Sequence, residues 1–266
     1  KISARGFLEF MEILGDQEFR VPERQDPYVR THPLTRDRVA AIAHHVANSP
    51  YSDNAVSSKF DINFRRARAK LYGFLNPIGH TLGVYKESDN SLESRYARAV
   101  GYYREPNLEK AVPLIDGLIA EYPKDPYFRE LKGQMLFENG KPGAALVSYQ
   151  NAVTLLPDNP LIRRELARVQ LALNDPALLD TAIDNLRISI ADDSESPFTW
   201  RQLAIAYGRR GDKGHSSLAL AEEALLTGKK SVALYHAGLA ERLFPNGSRE
   251  WLQAQDILLA ARPRKQ

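Results

Sequence analysis

The 266-residue sequence predicts an all-α protein: a tail-like N-terminal segment, a helical linker, and then a solenoid of about five helical hairpins. Three observations carry that expectation. The blocks AVPLIDGLIAEYPKDP (111–126) and ALVSYQNAVTLLPDNP (145–160) align 34 positions apart, with Ala111 on Ala145, Pro123 on Pro157 and Pro126 on Pro160. Small and large side chains recur at fixed places inside that period. Prolines fall where a helix must stop, because a proline has no N–H and its ring clashes with the preceding turn.

Along the chain, Arg5-Gly6-Phe7-Leu8-Glu9-Phe10-Met11 reads as the opening of a helix. It lacks the long apolar core and small-residue cleavage site of a signal peptide, and with Lys1 in place of Met the sequence reads as a piece of a longer protein. The stretch YVRTHPLTRDR (28–38) holds an isolated Thr31-His32-Pro33 turn. Pro33 stiffens that turn, and Thr35 is placed to cap a helix from Arg36. Phe60, Phe64, Ala67, Leu71 and Phe74 recur at spacing 4-3-4-3, which predicts one amphipathic helix over roughly 58–75 with that stripe as its packing face. Arg65, Arg66, Arg68 and Lys70 cover its other sides, and with no DNA-binding motif nearby they read as a solvated helix face. Asn76-Pro77 ends it.

From Ser91 onward the 34-residue period and its residue types are those of the tetratricopeptide repeat. In residues 126–157 the small positions are Gly133, Gly140, Ala145 and Ala152, the large ring is Tyr149 and the stop is Pro157. Small residues are required where two antiparallel helices cross closely, and the aromatic fills the gap to the next hairpin. Gly228, Ala233, Ala240 and Pro245 repeat the signature 88 positions after Gly140, Ala145, Ala152 and Pro157. Trp200, Leu203, Ala204, Tyr207 and Gly211 mark a hairpin beginning at Pro197, Leu166-Ala167 and Ala182 mark one before it, and Ala99, Tyr102, Ala111 and Pro123 mark an earlier unit. The expected organisation is a segment over 1–50, a linking helix and loop over 51–90, ten helices in five hairpins over 91–261, and a basic tail at 262–266.

Composition narrows the function. The net charge of +3 is too weak to indicate nucleic acid, and no apolar run approaches the ~18 residues of a membrane span. The absence of cysteine excludes disulfides, thiolate catalysis and cysteine-bound zinc. No phosphate-cradling glycine loop, H-E-x-x-H or nucleophile elbow occurs. His44 and His45 are adjacent on a helix and diverge by about 100°, while His215 and His236 fall inside repeat helices. The chain alone does not read as a complete enzyme.

The segment Thr31 to Arg38 (T-H-P-L-T-x-D-R), together with AKLYGFL (69–75), RYARAVGYYR (95–104), PYFRELKGQMLFENGKP (126–142) and AQDIL (254–258), resembles the C-terminal part of M48-family zinc metallopeptidases. The likeness is to the periplasmic members that carry a tetratricopeptide domain and act in outer-membrane protein quality control. It implies that residues 1–50 are the C-terminal tail of the peptidase domain and that the zinc-binding helix lies before Lys1. The fragment itself would hold no cofactor, and zinc would belong to the longer parent, a zinc metalloendopeptidase. It also implies a role for His32, which matches the family histidine able to reach the active-site zinc and displace its water. The residue-level alternative is a turn histidine bonded locally.

Two functions stand at this point: the partner-binding region of an M48-like protease, recruiting unfolded outer-membrane proteins or docking on their assembly machinery, and a free-standing tetratricopeptide adaptor. In either case the first helix of each hairpin is expected to line a partner-binding groove. The resemblance places Tyr96, Tyr103 and Arg104 there from the first unit and Tyr127, Glu130, Gln134 and Phe137 from the second. Arg164 and Arg168 follow from the third, then Arg201 and Arg209 from the fourth. Five arginines favour an acidic or carboxylate-bearing protein segment as partner.

Overall fold

Helices account for all the regular structure among the described residues, which in this computed structural model are 2–20, 36–55 and 58–262. The chain forms two compact units, residues 1–68 and 69–266.

The first unit contains α1 (Arg5–Arg20), α2 (Arg36–Asn48) and the opening of α3 (Ser58–Leu75). Arg5 ties the start of α1 to the turn after α2: its Nε donates to the Ser52 carbonyl at 3.1 Å and its guanidinium pairs with Asp53 at 2.5 Å. Ser3 donates to the same carbonyl at 2.6 Å. The Thr31–Thr35 turn, and with it His32 and the expected Thr35 cap, lies outside the described residues.

The second unit begins in the last turns of α3 and continues through α4 (Ile78–Val84), α5 (Leu92–Arg104), α6 (Leu108–Glu121), α7 (Pro126–Glu138), α8 (Pro142–Leu155) and α9 (Pro160–Leu173). A 3-10 turn (Pro176–Leu178) precedes α10 (Leu179–Asp192), followed by α11 (Pro197–Arg210), α12 (Lys213–Leu226), α13 (Lys230–Leu243) and α14 (Arg249–Ala261). The ten helices α5–α14 are the five hairpins expected over 91–261. Their boundaries follow from sequence. Asp125, Asn159 and Ser196 each accept a backbone N–H as N-caps, and Pro126, Pro160 and Pro197 follow them at the first helical position, where no N–H is needed. Gly140 and Gly211 take φ of 72° and 82° in the turns after α7 and α11, a conformation that other L-residues rarely adopt.

Repeat logic sets the packing. A Cβ built on Gly133 would lie 2.7 Å from two ring atoms of Tyr149, which is 1% exposed, so the glycine is the space into which the tyrosine fits. The core runs along the unit as successive clusters. Ile115 and Phe128 centre the first, Tyr149 and Leu166 the next, Leu186 and Leu203 a third, and Ala237 and Ile257 the last. Each hairpin therefore buries its apolar face on its neighbours, as a repeat unit must.

One expectation is reversed in α3. Its bounds are those the periodicity predicts, but Phe60, Phe64, Ala67, Leu71 and Phe74 are exposed rather than packed. The face that packs is narrower and smaller: Ala69, Tyr72 and Gly73 meet Tyr85 and Ala97. A Cβ on Gly73 would stand 2.3 Å from the Ala97 carbonyl oxygen, so backbone meets backbone there and the small residues decide the docking. Ile78 and Leu82 of α4 extend the same contact onto the first core cluster. Residues 69–84 are thus built into the repeat unit.

Candidate protein-interaction groove

Tyr127, Glu130 and Gln134 recur along one face of α7, and Asn159, Leu161, Arg164, Glu165 and Arg168 rise from the start and first turns of α9. With Lys70 from α3 and Tyr149 beneath, they line a cavity of about 340 Å3. Five of the residues placed in a groove by the repeat register meet here: Tyr127, Glu130, Gln134, Arg164 and Arg168. Tyr127 is 46% exposed and Leu161 53%, giving the groove an apolar, aromatic edge.

The charges are arranged as a cluster. Glu165 accepts from Arg164 at 3.2 Å and from Arg168 at 3.0 Å, so one carboxylate serves two guanidinium groups. Arg168 also lies over the Phe137 ring at 4.8 Å and Arg164 over Phe198 at 5.5 Å, contacts that hold both planes in place. Lys70 stands 3.7 Å from Glu130. Burial pushes the Glu130 carboxyl above its ordinary value, and the Lys70 ammonium pulls it part of the way back. Three cations thus face two carboxylates, one of which is reluctant to ionise. The excess is positive, and a carboxylate entering the groove would satisfy it.

The other register-placed residues go elsewhere. Tyr96 and Tyr103 are 4% and 7% exposed; Tyr96 packs edge-on against Phe128 and the Tyr103 hydroxyl donates to Glu138. They form the wall of the first hairpin and present no surface to a partner, because α7 closes over them. Arg104 lies on the Phe74 ring at 4.5 Å. Arg201 pairs with Glu223 at 3.5 Å, and Arg209 donates to the Leu171 carbonyl at 2.6 Å beside a separate cavity of about 270 Å3. The five arginines are therefore all engaged, and the expected array of free guanidinium groups contracts to the Arg164–Arg168 pair. Sequence reasoning missed Lys70, Glu165 and Leu161. Leu161 sits at the same repeat position as Tyr127 and could have been found by extending the register; Lys70 could not, because α3 lies outside the repeats.

A stack of capped hairpins with a charged, aromatic-edged groove defines a tetratricopeptide solenoid, and the chain contains a protein-interaction region of that class. The comparisons with known proteins agree with this. The chain is 25% identical over 235 residues to the beta-barrel assembly-enhancing protease of Yersinia pestis, a match covering 85% of this chain and 46% of that protein. It is 29% identical over 89 residues to DnaJ homolog subfamily C member 3 of Gallus gallus, covering 34% of this chain and 18% of that protein. The chain spans less than half the length of the curated relatives it matches. A solved structure of MamA MSR-1 superposes with a TM-score of 0.51 at 16% identity, over 62% of this chain and 96% of that one, a likeness of fold alone. No protein-family model matches the chain.

Proposed function

We propose that this chain is the partner-binding region of an M48-like zinc metalloendopeptidase of the periplasm, and that it recruits outer-membrane proteins or docks the protease on their assembly machinery. The observation that carries the reading is the match to a beta-barrel assembly-enhancing protease over 85% of the chain, which takes in the groove. The groove supplies the mode of binding: an extended segment lies along α7 and α9, its carboxylates on Arg164, Arg168 and Lys70 and its apolar side chains against Tyr127 and Leu161.

Zinc belongs, on this proposal, to the parent enzyme. Among the described residues no group of three His, Cys, Asp or Glu is arranged to hold a metal ion. His32 is proposed to act on the parent's zinc as a gate. No described helix is long and apolar enough to cross a membrane.

A photo-cross-linking amino acid at Gln134, in the groove, tests the function in cells. The proposal expects covalent adducts with outer-membrane β-barrel proteins or their assembly factors, identified by mass spectrometry. Adducts with cytoplasmic proteins alone, or none with the envelope proteins, would overturn it.

A further inference from the structure

The two carboxylates of the groove between α7 and α9 are held very differently. Glu165 accepts from two guanidinium groups, Arg164 at 3.2 Å and Arg168 at 3.0 Å. Glu130 lines the same cavity with its side chain only 18% exposed, and the one ion pair it makes among the described residues is with Lys70, at 3.7 Å. Burial pushes the Glu130 carboxyl above its ordinary value; Lys70 opposes that rise and Glu165 adds to it. The other titratable or charged groups of the cavity are Tyr127 on α7 itself, Tyr149 on α8, and Arg164 and Arg168 on α9. Burial pushes the Tyr149 phenol up, and guanidinium groups keep their charge, so Glu130 is the group of this cluster poised to change state.

An acidic segment entering the groove shifts this balance in one direction. Arg164 and Arg168 have N–H donors enough to serve Glu165 and a newcomer together. Lys70 is the more exposed member of its pair, at 40%, and is open to a second carboxylate. A carboxylate that takes the Lys70 ammonium draws away the counter-ion of Glu130 and sets a second negative charge beside a buried one. Like charge and burial both disfavour the ionised form, so two carboxylates placed this way are held better with a proton between them.

We infer that the groove binds an acidic segment together with a proton, which Glu130 takes from solvent, so that binding tightens as pH falls. This rests on the groove reading given under the proposed function and adds a role for Glu130 to it. The protonated side chain donates its O–H to a carboxylate oxygen of the segment, while Lys70 pairs with the same segment. The complex then holds more protons than the free chain and the free segment, and affinity rises as pH is lowered.

An extended dodecapeptide rich in Asp, Glu and Leu, with blocked termini, serves as the probe. It is titrated calorimetrically between about pH 5.5 and pH 8 in pairs of buffers that differ in ionisation enthalpy, which counts the protons bound. The wild type should take up at least about half a proton per peptide at the pH of greatest uptake, and its Kd should fall at least about threefold from the top of that range to the bottom. Glu130→Gln holds the neutral form throughout. It should bind the peptide more tightly than the wild type at about pH 8 and lose most of the uptake and of the pH dependence. Lys70→Gln removes the counter-ion before the peptide arrives and should move the uptake to higher pH. Binding without uptake, uptake equal in the wild type and Glu130→Gln, or uptake unmoved by Lys70→Gln would overturn the inference and leave the groove reading standing. Absence of peptide binding at every pH would overturn both.

Discussion

Gly133→Ala is expected to destabilise the repeat unit although alanine is the better helix former. In an exposed helix the change would contribute about 1 kcal/mol of stability. Here the added methyl would lie 2.7 Å from two carbons of the Tyr149 ring and 3.0 Å from a third. The ring cannot swing away, since Tyr149 is 1% exposed and packed among Leu136, Ala145, Ala152, Ile162 and Leu166. Forcing a methylene into such a core costs about 1–3 kcal/mol. With the ring unable to move, the overpacking offsets and then exceeds the propensity gain, and the expected net loss is up to about 2 kcal/mol. Urea unfolding followed by circular dichroism would show it as a lowered midpoint. Tyr149→Leu removes the ring and leaves a gap, so it should also destabilise alone, yet the double variant should lose less than the two single losses combined. A Gly133→Ala midpoint above that of the wild type, or strict additivity in the double variant, would refute the claim that glycine and tyrosine are one packing unit.

Three further outcomes are expected. Asn185 bridges α9 and α10 at the centre of a buried chain, accepting from Arg163 at 2.6 Å and donating to Gln170 at 3.1 Å, so Asn185→Ala should cost about 1–3 kcal/mol in the same unfolding assay. Burial lowers the pKa of His236 below its ordinary 6.5, and its Nδ1 is buried without a partner. The unfolded chain therefore takes up a proton before the folded one: stability is full above pH 6.5 and is lost as pH falls from there through the lowered value. Melting temperatures measured across pH 5–7 should fall less steeply for His236→Phe, and unchanged steepness would remove His236 as a source. If the chain belongs to a zinc protease, as proposed, His32→Ala in that protein should raise casein cleavage, and unchanged kinetics would remove the proposed role of His32 at the zinc.

The repeats were legible because their signals are local and periodic. The small positions Gly133, Ala145 and Ala152, the ring of Tyr149 and the stops at Pro123, Pro157 and Pro245 each fall at a fixed place in the period, whereas the fit of Tyr149 onto Gly133 of its own hairpin came only with the structure. The groove was legible in part, since Tyr127, Glu130, Gln134, Arg164 and Arg168 follow from one register. What the register could not supply was depth and pairing. Tyr96 and Tyr103 occupy surface positions of the motif but are covered by the next hairpin, and Glu165 draws two arginines that sequence spacing leaves free. In α3 the largest apolar residues suggested the packing face, but contact between backbones favoured Ala69 and Gly73, and hydrophobic periodicity does not register a glycine.

The groove between α7 and α9 is proposed to take a carboxylate-bearing segment through Arg164 and Arg168. Fluorescence anisotropy with a labelled, extended dodecapeptide rich in Asp, Glu and Leu tests it most directly, beside the same peptide with every carboxylate replaced by its amide. The acidic peptide should bind more tightly, and Arg164→Glu with Arg168→Glu should weaken it by at least about tenfold, the loss of two charge-assisted contacts. Arg164→Gln with Arg168→Gln should give an intermediate loss, and circular dichroism should show all three proteins folded. Equal affinity of the wild type and the double charge reversal for the acidic peptide would contradict the account and move the binding site off this face.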